Sequence, residues 1–333
     1  MVAQKLFIKA DGYGVCFKTN CAEAASFVEN NMDEFIRLTI SFIVSRTEVM
    51  TDISFTYNNT DGYNLRFDKN AKELYLECPW NKINKSTFLP MIFRYIVEWL
   101  RQNNQEIKVH ASAIVRGNKT ALFMAPTEGG KTTTALAMCQ KFGCSLRAND
   151  AAVLKFDEEM PLMLRGDTII KVRYNGLEAY SKEIYEDRVD ATATDENPWF
   201  KKMKILPDEI GITSNKGVSA VTNLFFIKLD VLVNGCSVTH YNDNNYERKE
   251  HWFKPKMQLL QNIAGTIRGT DLIPLGNDGN LLPIVIPSLD NDELCLNRIK
   301  FINSLFESCD IYQLRGQLDS VTKHINDILS SKV

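Results

Sequence analysis

The sequence lacks several features that would place it in a protein class directly. Its eight cysteines include no Cys-x-x-Cys pair, and its four histidines do not stand at zinc-site spacing from any cysteine. Lys and Arg together number 39 against 41 Asp and Glu, so the formal net charge is -2. The basic excess of a nucleic-acid-binding protein is therefore absent, and we expect no nucleic-acid partner.

Long hydrophobic runs are also missing. The two most apolar stretches, LFFIKLDVLV (224–233) and LLPIVIPSL (281–289), are too short to span a bilayer, and we expect both to be buried strands. The first residues lack the apolar core of a signal peptide. With no cysteine pattern typical of a secreted domain, these absences predict reduced thiols, a cytoplasmic location and no membrane partner.

A chain of 333 residues with 44% hydrophobic and 24% charged residues is typical of a globular protein with two domains. We predict an N-terminal α/β domain over 1–105, in which YNLRFDKNAKELYLEC forms a hairpin. A helix should follow, capped by Ser86 or Thr87 with Pro90 in its first turn. A larger α/β domain should then occupy 106–333.

The larger domain opens with an alternation of strands and a helix. VHASAIV and TALFMA read as strands, TTTALAMCQKFG as a helix that ends at Gly143, and SLRAND and AAVLKFD as further extended segments. A polar middle segment, LEAYSKEIYEDRVDATATDENPWFKKMKILPDE, is either a loop near a substrate site or a surface connection. Two amphipathic helices around the strand DIYQL should close the chain.

The strand TALFMA runs into APTEGGKTTT (125–134), whose threonines begin the next helix. This stretch matches the Walker A phosphate loop, G-x-x-x-x-G-K-[ST], at all but its first position. In such a loop backbone N–H groups surround phosphate oxygens, the lysine reaches the β- and γ-phosphates, and the following hydroxyl binds Mg²⁺. The predicted nucleotide-binding residues are Ala125, Pro126, Thr127, Glu128, Gly129, Gly130, Lys131, Thr132 and Thr133.

Two residues of this loop depart from the pattern. Ala125 replaces the first glycine, which is tolerated if the chain leaves the strand with ordinary φ, as Pro126 favours. Glu128 can point to solvent while its N–H serves the phosphate. The alternative is a Gly-rich turn before a Thr-rich helix, with no ligand.

The segment HASAIVRGNKTALFMAPTEGGKTTTALAMCQKFGCSLRAND resembles the core of the HPr kinase/phosphorylase family, a phosphoenolpyruvate carboxykinase-like P-loop group. The family's histidine, phosphate loop and Asp-Asp pair correspond to His110, the loop at Ala125–Thr132, and Asn149-Asp150. The close resemblance covers about residues 108–176, and the last strand and helix are similar more loosely. It implies a P-loop kinase domain of HPr kinase-like fold behind a smaller N-terminal α/β domain.

The resemblance also implies roles for individual residues. Asp150 would be the general base and, with Thr132, a ligand of Mg²⁺, while Lys131 would neutralise phosphate charge. His110 would lie near the transferred phosphate. From the residues alone, the alternative for Asp150 is a strand-end cap or turn residue, and the alternative for His110 is a core residue of an apolar strand.

Departures from the family pattern concern the metal and the charge of the transition state. Asn149 replaces the first Asp of the pair, and Met163 stands where the family has a metal-binding Glu. Either metal coordination differs from the family's, or another carboxylate such as Asp167 substitutes for the Glu. Arg165 and Arg268 are two candidates for an arginine that stabilises the transferred phosphoryl group.

These patterns predict an ATP- and Mg²⁺-dependent kinase that phosphorylates a hydroxyl, with a serine of a protein or precursor peptide as the first choice on resemblance alone. Two alternatives remain open, a small-molecule kinase and a non-catalytic nucleotide-binding module. The N-terminal domain would dock substrate or form the contacts of a homo-oligomer.

Overall fold

The structure is a computed structural model of the chain. It describes residues 4–36, 38–126, 128–157, 160–173, 202–241, 251–270 and 272–331. Seventeen strands and seven α-helices occur within these residues, so the protein is a mixed α/β fold. Thr127 of the predicted loop, and residues 177–201 of the polar middle segment, lie outside them.

The chain forms two compact units. Unit 1 comprises Met1–Ile107 and Gln258–Ile299, and unit 2 comprises Lys108–Met257 and Lys300–Val333. The sequence predicts one division near residue 105; the structure divides the chain at Ile107 and also assigns Gln258–Ile299 to unit 1. Apolar residues of that segment, such as Ile267 and Leu289, are buried in the same core as the N-terminal strands.

Unit 1 is built on a six-stranded sheet, with three helices in its N-terminal part. Its strands are β1 (Gln4–Ala10), β2 (Tyr13–Thr19), β3 (Phe42–Ser45), β4 (Ile53–Asn58), β5 (Asn64–Asp68) and β6 (Glu73–Glu77), and its N-terminal helices are α1 (Ala22–Asn30), α2 (Met32–Ile36) and α3 (Lys85–Asn103). The strand order is β3-β1-β2-β4-β6-β5. β5 and β6 pair antiparallel, which confirms the predicted hairpin.

The start of α3 differs from the prediction. The helix begins at Lys85 with Asn84 as its N-cap, so Pro90 lies inside the helix rather than in its first turn. The ring of Phe93 packs against four other phenylalanines, Phe17, Phe35, Phe42 and Phe55. Burial of this apolar stripe offsets the backbone hydrogen bond that Pro90 cannot make.

Unit 2 contains most of the remaining elements. The strands are β7 (Glu106–Val109), β8 (Ser112–Arg116), β9 (Lys119–Met124), β10 (Ser145–Ala148), β11 (Ala152–Asp157), β12 (Met160–Gly166), β13 (Ile170–Arg173), β14 (Lys202–Ile205), β15 (Ser219–Leu229), β16 (Cys236–His240) and β17 (Asp310–Gly316). The helices of the rest of the chain are α4 (Lys131–Phe142), α5 (Phe253–Arg268), α6 (Asp292–Ser308) and α7 (Leu318–Ser330), with a 3-10 turn at Pro207–Ile210. Nine strands form one sheet and β13 and β14 form a separate pair.

The centre of the large sheet is parallel. β15 pairs in parallel with β9 on one side and with β17 on the other, so their carboxyl ends share one edge of the sheet. α4 and α7 pack on this sheet through buried residues that include Leu136 and Ile325. The segment after β9 therefore begins at the edge of the sheet where ligands bind in open α/β folds.

The two apolar stretches have different outcomes. The first enters β15, as predicted. The second, at 281–289, is wrong as a strand: it has irregular structure with one isolated bridge, between Leu275 and Leu281. Pro283 and Pro287 interrupt it, and a residue without an N–H cannot continue a ladder.

All eight cysteines lie within the described residues, and each is free. Of the helices that the structure describes, none is both long and apolar enough to cross a membrane.

Candidate functional site

The predicted phosphate loop lies between the end of β9 and the start of α4. Gly130 is the N-cap of α4 and has φ of +98°, which is left-handed. A Cβ at Gly130 would lie 2.4 Å from the side chain of Leu229 at the end of β15. Glycine is thus required at this position both by its backbone conformation and by the contact between loop and sheet.

Ala125 fits this loop without strain. Among the described residues it is not one of the non-glycine positions with positive φ, so the missing glycine is not needed there. A Cβ on Gly129 would lie 2.8 Å from the Cβ of Ala125. The close packing of the loop therefore requires glycine at position 129 and not at position 125. Glu128 adopts the left-handed conformation, with φ of +64°, and its side chain is exposed.

Backbone hydrogen bonds hold the loop in place. Gly129 N–H donates to the Pro126 carbonyl at 2.9 Å, and Leu229 N–H donates to the Gly129 carbonyl at 3.1 Å. The first turn of α4 follows directly, and the first N–H groups of a helix have no partner within the helix. These donors and the helix dipole together favour an anion at this end of α4.

Three side chains form a chain of contacts at the same edge of the sheet. Lys131 Nζ lies 3.0 Å from His110 Nε2, and it donates to the Ala125 carbonyl at 3.3 Å. His110 Nδ1 lies 3.2 Å from Asp150 Oδ1 and 3.1 Å from the Asp150 carbonyl oxygen. The strand directions bring these residues together. His110 precedes β8 and Asp150 follows β10, and β8 runs antiparallel to both β10 and β9, so the start of β8 lies beside the ends of the other two strands.

These contacts assign the protonation of His110. Its Nδ1 faces two oxygen acceptors of Asp150 and must donate, while its Nε2 faces the ammonium of Lys131 and must accept. The imidazole is therefore neutral, with its proton on Nδ1. Its second nitrogen keeps a lone pair directed at the phosphate loop.

The surroundings of His110 favour its neutral form. The pKa of His110 is lowered, chiefly by partial burial of the ring, with the Asp150 carboxylate opposing the shift and the Lys131 ammonium adding to it. The pKa of Lys131 is also lowered, because burial disfavours its charge, while Asp150 opposes that shift. Lys131 is a buried cation whose ammonium contacts a neutral imidazole and a backbone carbonyl.

The opposing influences predict how His110 should titrate. Because the carboxylate of Asp150 raises the pKa of His110, the Asp150→Asn variant should titrate at a lower pH than the wild type. Because the ammonium of Lys131 lowers it, Lys131→Met should titrate at a higher pH. Long-range ¹H–¹⁵N NMR of the imidazole measures both; shifts in the same direction would contradict this arrangement.

Asn149 and Met163, which depart from the family pattern, and the substitute candidate Asp167 are all buried. Asn149 is buried, and its Nδ2 donates to the Ile169 carbonyl. Met163 is fully buried in the sheet, away from solvent. Asp167 is buried too, with Oδ1 accepting from Ile169 N–H at 2.9 Å and Oδ2 from Lys171 at 3.1 Å. Its carboxylate is thus already engaged, and its role as a metal ligand stays a prediction.

The two candidate arginines lie in different units. Arg165 is on β12 opposite Val153 and is partly buried. A Cβ on the next residue, Gly166, would lie 2.6 Å from the Cβ of Ala148, so glycine lets the end of β12 approach the strand that leads to Asp150. Arg268 belongs to unit 1, where its Nε is 2.8 Å from Asp290 Oδ2. Both catalytic roles stay predictions.

Two of the predicted metal ligands, Thr132 and Asp150, lie near the phosphate loop. Thr132 is partly buried in the first turn of α4, and the Asp150 carboxylate is about half exposed at 47%. Both offer the oxygen ligands that Mg²⁺ prefers. Within the described residues no group of three or more His, Cys, Asp or Glu side chains could hold a metal, so a bound Mg²⁺ would need further ligands from water and phosphate.

Sequence reasoning missed two residues that shape the site. Leu229 fixes the loop by packing against Gly130, and Ser112 Oγ donates to the Asn149 carbonyl just before Asp150. Leu229 gives no signal, because it is one apolar residue in an apolar strand. Ser112, a polar residue in the apolar stretch VHASAIV, could have been noticed.

Comparisons with known proteins do not assign the chain to a family. No protein-family model matches the chain, and no curated protein sequence matches it. One solved structure, the Hpr(Ser) kinase/phosphatase from Coxiella burnetii, is similar at a TM-score of 0.25 and 15% identity. That similarity covers 37% of this chain and 65% of the other, and a likeness this weak carries no argument about activity.

Proposed function

We propose that the protein is an ATP- and Mg²⁺-dependent kinase that transfers the γ-phosphoryl group to a hydroxyl, in a P-loop domain of HPr kinase-like type. The observation that supports this is the chain of contacts from Lys131 through His110 to Asp150, at the helix end that follows a glycine-dependent loop. A structural turn would not need a buried lysine and a carboxylate joined through one imidazole.

The loop residues fit a nucleotide triphosphate. A Cβ would crowd the loop at Gly129 and Gly130, so its backbone lies close to its neighbours without side chains between. Lys131 would bind the phosphates, and the first-turn amides of α4 would donate to them. Thr132 and Asp150 would hold Mg²⁺, which supplies charge neutralisation for phosphoryl transfer.

The proton of the acceptor hydroxyl needs a base. Asp150 is that base in our proposal: it takes the hydroxyl proton as the oxygen attacks the γ-phosphorus and the bond to the leaving ADP breaks. His110 donates its Nδ1–H to Asp150 and so orients the carboxylate. To bind phosphate, Lys131 would exchange its contacts with His110 Nε2 and the Ala125 carbonyl for phosphate oxygens, which carry the negative charge that neither of those partners has.

A serine of a protein or precursor peptide is our first choice of acceptor. The half-exposed Asp150 and His110 can be reached from solvent, which suits an acceptor carried on a larger molecule. A small hydroxyl compound remains the alternative, and the following experiment separates the two.

The test is transfer of label from [γ-³²P]ATP with Mg²⁺ into cell extract separated into protein, peptide and small-molecule pools. We expect label in the protein or peptide pool, and a decrease of about 10²-fold or more in Asp150→Asn, because proton acceptance by a positioned base contributes about 10²–10⁴ in rate. Asp157→Asn, at the far end of β11, is the matched control and should transfer label like the wild type.

Three other results would revise the proposal. Label confined to the small-molecule pool would identify a small-molecule kinase. Equal transfer by Asp150→Asn and the wild type would remove Asp150 as base. Saturable ATP binding without label in any pool, including reactions supplemented with purified serine peptides, would favour the non-catalytic module.

A further inference from the structure

One ring nitrogen of His110 is directed at the phosphate loop and held there. On the far side of the ring, Nδ1 lies 3.2 Å from Asp150 Oδ1 and 3.1 Å from the Asp150 carbonyl oxygen, so the proton of the neutral ring is on Nδ1. Nε2 therefore carries a lone pair, and it lies 3.0 Å from Lys131 Nζ. Contacts at both nitrogens fix the direction in which that lone pair points.

An imidazole held in this way has the arrangement of a nucleophile. Histidine is one of the side chains that form covalent bonds to substrate groups during catalysis. A carboxylate that accepts the Nδ1–H orients the ring and stabilises the positive charge that develops on it when Nε2 reacts. Asp150 is placed to do both, and the side chain of His110 is 52% exposed, so a ligand reaches it from solvent.

The contact of His110 with Lys131 links this lone pair to the bound phosphates. The lysine of a phosphate loop binds the β- and γ-phosphates, through hydrogen bonds of about 2.7–2.9 Å. When Lys131 turns to those oxygens it releases Nε2, which lies 3.0 Å from the same ammonium before the ligand binds. The γ-phosphorus then arrives beside a free lone pair, and reacting atoms need to approach to about 3–3.5 Å.

We propose that His110 is a site of self-phosphorylation: when no acceptor hydroxyl is present, its Nε2 takes the γ-phosphoryl group of a bound nucleoside triphosphate. The bond from Nε2 to phosphorus forms as the bond from phosphorus to the β–γ bridging oxygen breaks, and the nucleoside diphosphate leaves with that electron pair. Asp150 accepts the Nδ1 proton, so the ring of the product is neutral. The inference rests on the proposed kinase function for its phosphoryl donor, but the acceptor is the protein's own side chain.

The modification should be confined to one of the four histidines. A phosphoryl group on His110 would occupy the place of the γ-phosphate beside Lys131, so a second triphosphate could not bind productively and labelling should stop at one group per chain. The other histidines are placed differently: His240 lies on β16, Nε2 of His251 is 2.9 Å from Gln313 Oε1, and His324 is exposed on α7. They serve as internal controls for the position of the label.

The test is incubation of the wild-type protein with [γ-³²P]ATP and Mg²⁺ without any acceptor, followed by digestion at neutral pH and mass spectrometry of the peptide that contains His110. We expect label that is lost in acid and kept in alkali, as a phosphorus–nitrogen bond of histidine requires, and its position at His110. The His110→Asn variant keeps an amide N–H in place of Nδ1–H but lacks Nε2, so it should carry no label above background. His324→Gln should be labelled like the wild type.

Calorimetry with Mg²⁺·ATP separates this inference from the proposed function. Saturable binding of ATP by the wild type without label on His110 would overturn the inference and leave the phosphate loop intact. Acid-stable label on serine or threonine, or equal labelling of His110→Asn, would overturn it as well. Labelled His110 without transfer to any pool of acceptors would support it while the hydroxyl kinase fails, and absence of ATP binding would overturn both.

Discussion

We expect the Lys131→Met variant to lose at least about 10²-fold in kcat/KM for phosphoryl transfer. Lys131 is the only cation in the chain of contacts at the phosphate loop, and a preorganised donor aimed at developing negative charge is worth about 10²–10³ in rate. Methionine keeps the length and apolar stem of the side chain. Steady-state kinetics with the labelled acceptor measures the effect, which should include a higher KM for ATP.

The loss should not come from unfolding. Burial lowers the pKa of Lys131, so replacing its charge with a thioether removes a group that the folded state disfavours. Lys141→Met is the matched control, because Lys141 lies on the same helix and its ammonium pairs with Asp319 on the surface. If both variants were equally active, Lys131 would have no role in binding phosphate.

A second large effect should follow from replacing Arg101 in unit 1. Arg101 is fully buried and forms ion pairs with both Asp11 and Glu98. Asp11 also accepts from the N–H groups of Ile40 and Ser41, at 2.6 and 2.8 Å, so it is fixed in place. Arg101→Met would leave two carboxylates buried without a cation, at a cost of about 3–5 kcal/mol to the folding of this unit.

Hydrogen–deuterium exchange of peptides from β1, β2 and α3 measures this loss. We expect protection there to fall by about 100- to 4,000-fold, since each 1.4 kcal/mol changes the opening equilibrium tenfold. Arg46→Met is the control: Arg46 pairs with Glu29 at 2.7 Å but its side chain is 73% exposed, so the loss should stay below about 1 kcal/mol. Equal protection in the two variants would mean that the buried ion pairs do not stabilise the unit.

Local chemistry made several elements predictable from the sequence. The end of α4 follows from Gly143, which has φ of +65° and could only be replaced at a cost. The β5–β6 hairpin follows from alternating apolar residues around a polar turn. The loop between β9 and α4 follows from its glycines, whose need is confirmed by the close approach of Leu229 to Gly130.

Long-range pairing explains what the sequence could not predict. Gln258–Ile299 joins unit 1 because Ile267 and Leu289 bury in its core, and nothing local distinguishes them from apolar residues of unit 2. The contact between Lys131 and His110 depends on β8 lying beside β9 in the right register. Lys171 of β13 pairs with Lys204 of β14, 33 positions further along the chain, through a register that periodicity alone does not fix.

The most direct test of the phosphate loop is a calorimetric titration of the wild-type protein with Mg²⁺·ATP and, separately, with AMP. We predict saturable one-to-one binding of ATP and much weaker binding of AMP, because AMP lacks the phosphates that Lys131 and the first turn of α4 would hold. Equal affinity for the two nucleotides, or no binding of ATP, would contradict a working phosphate loop at Ala125–Thr132.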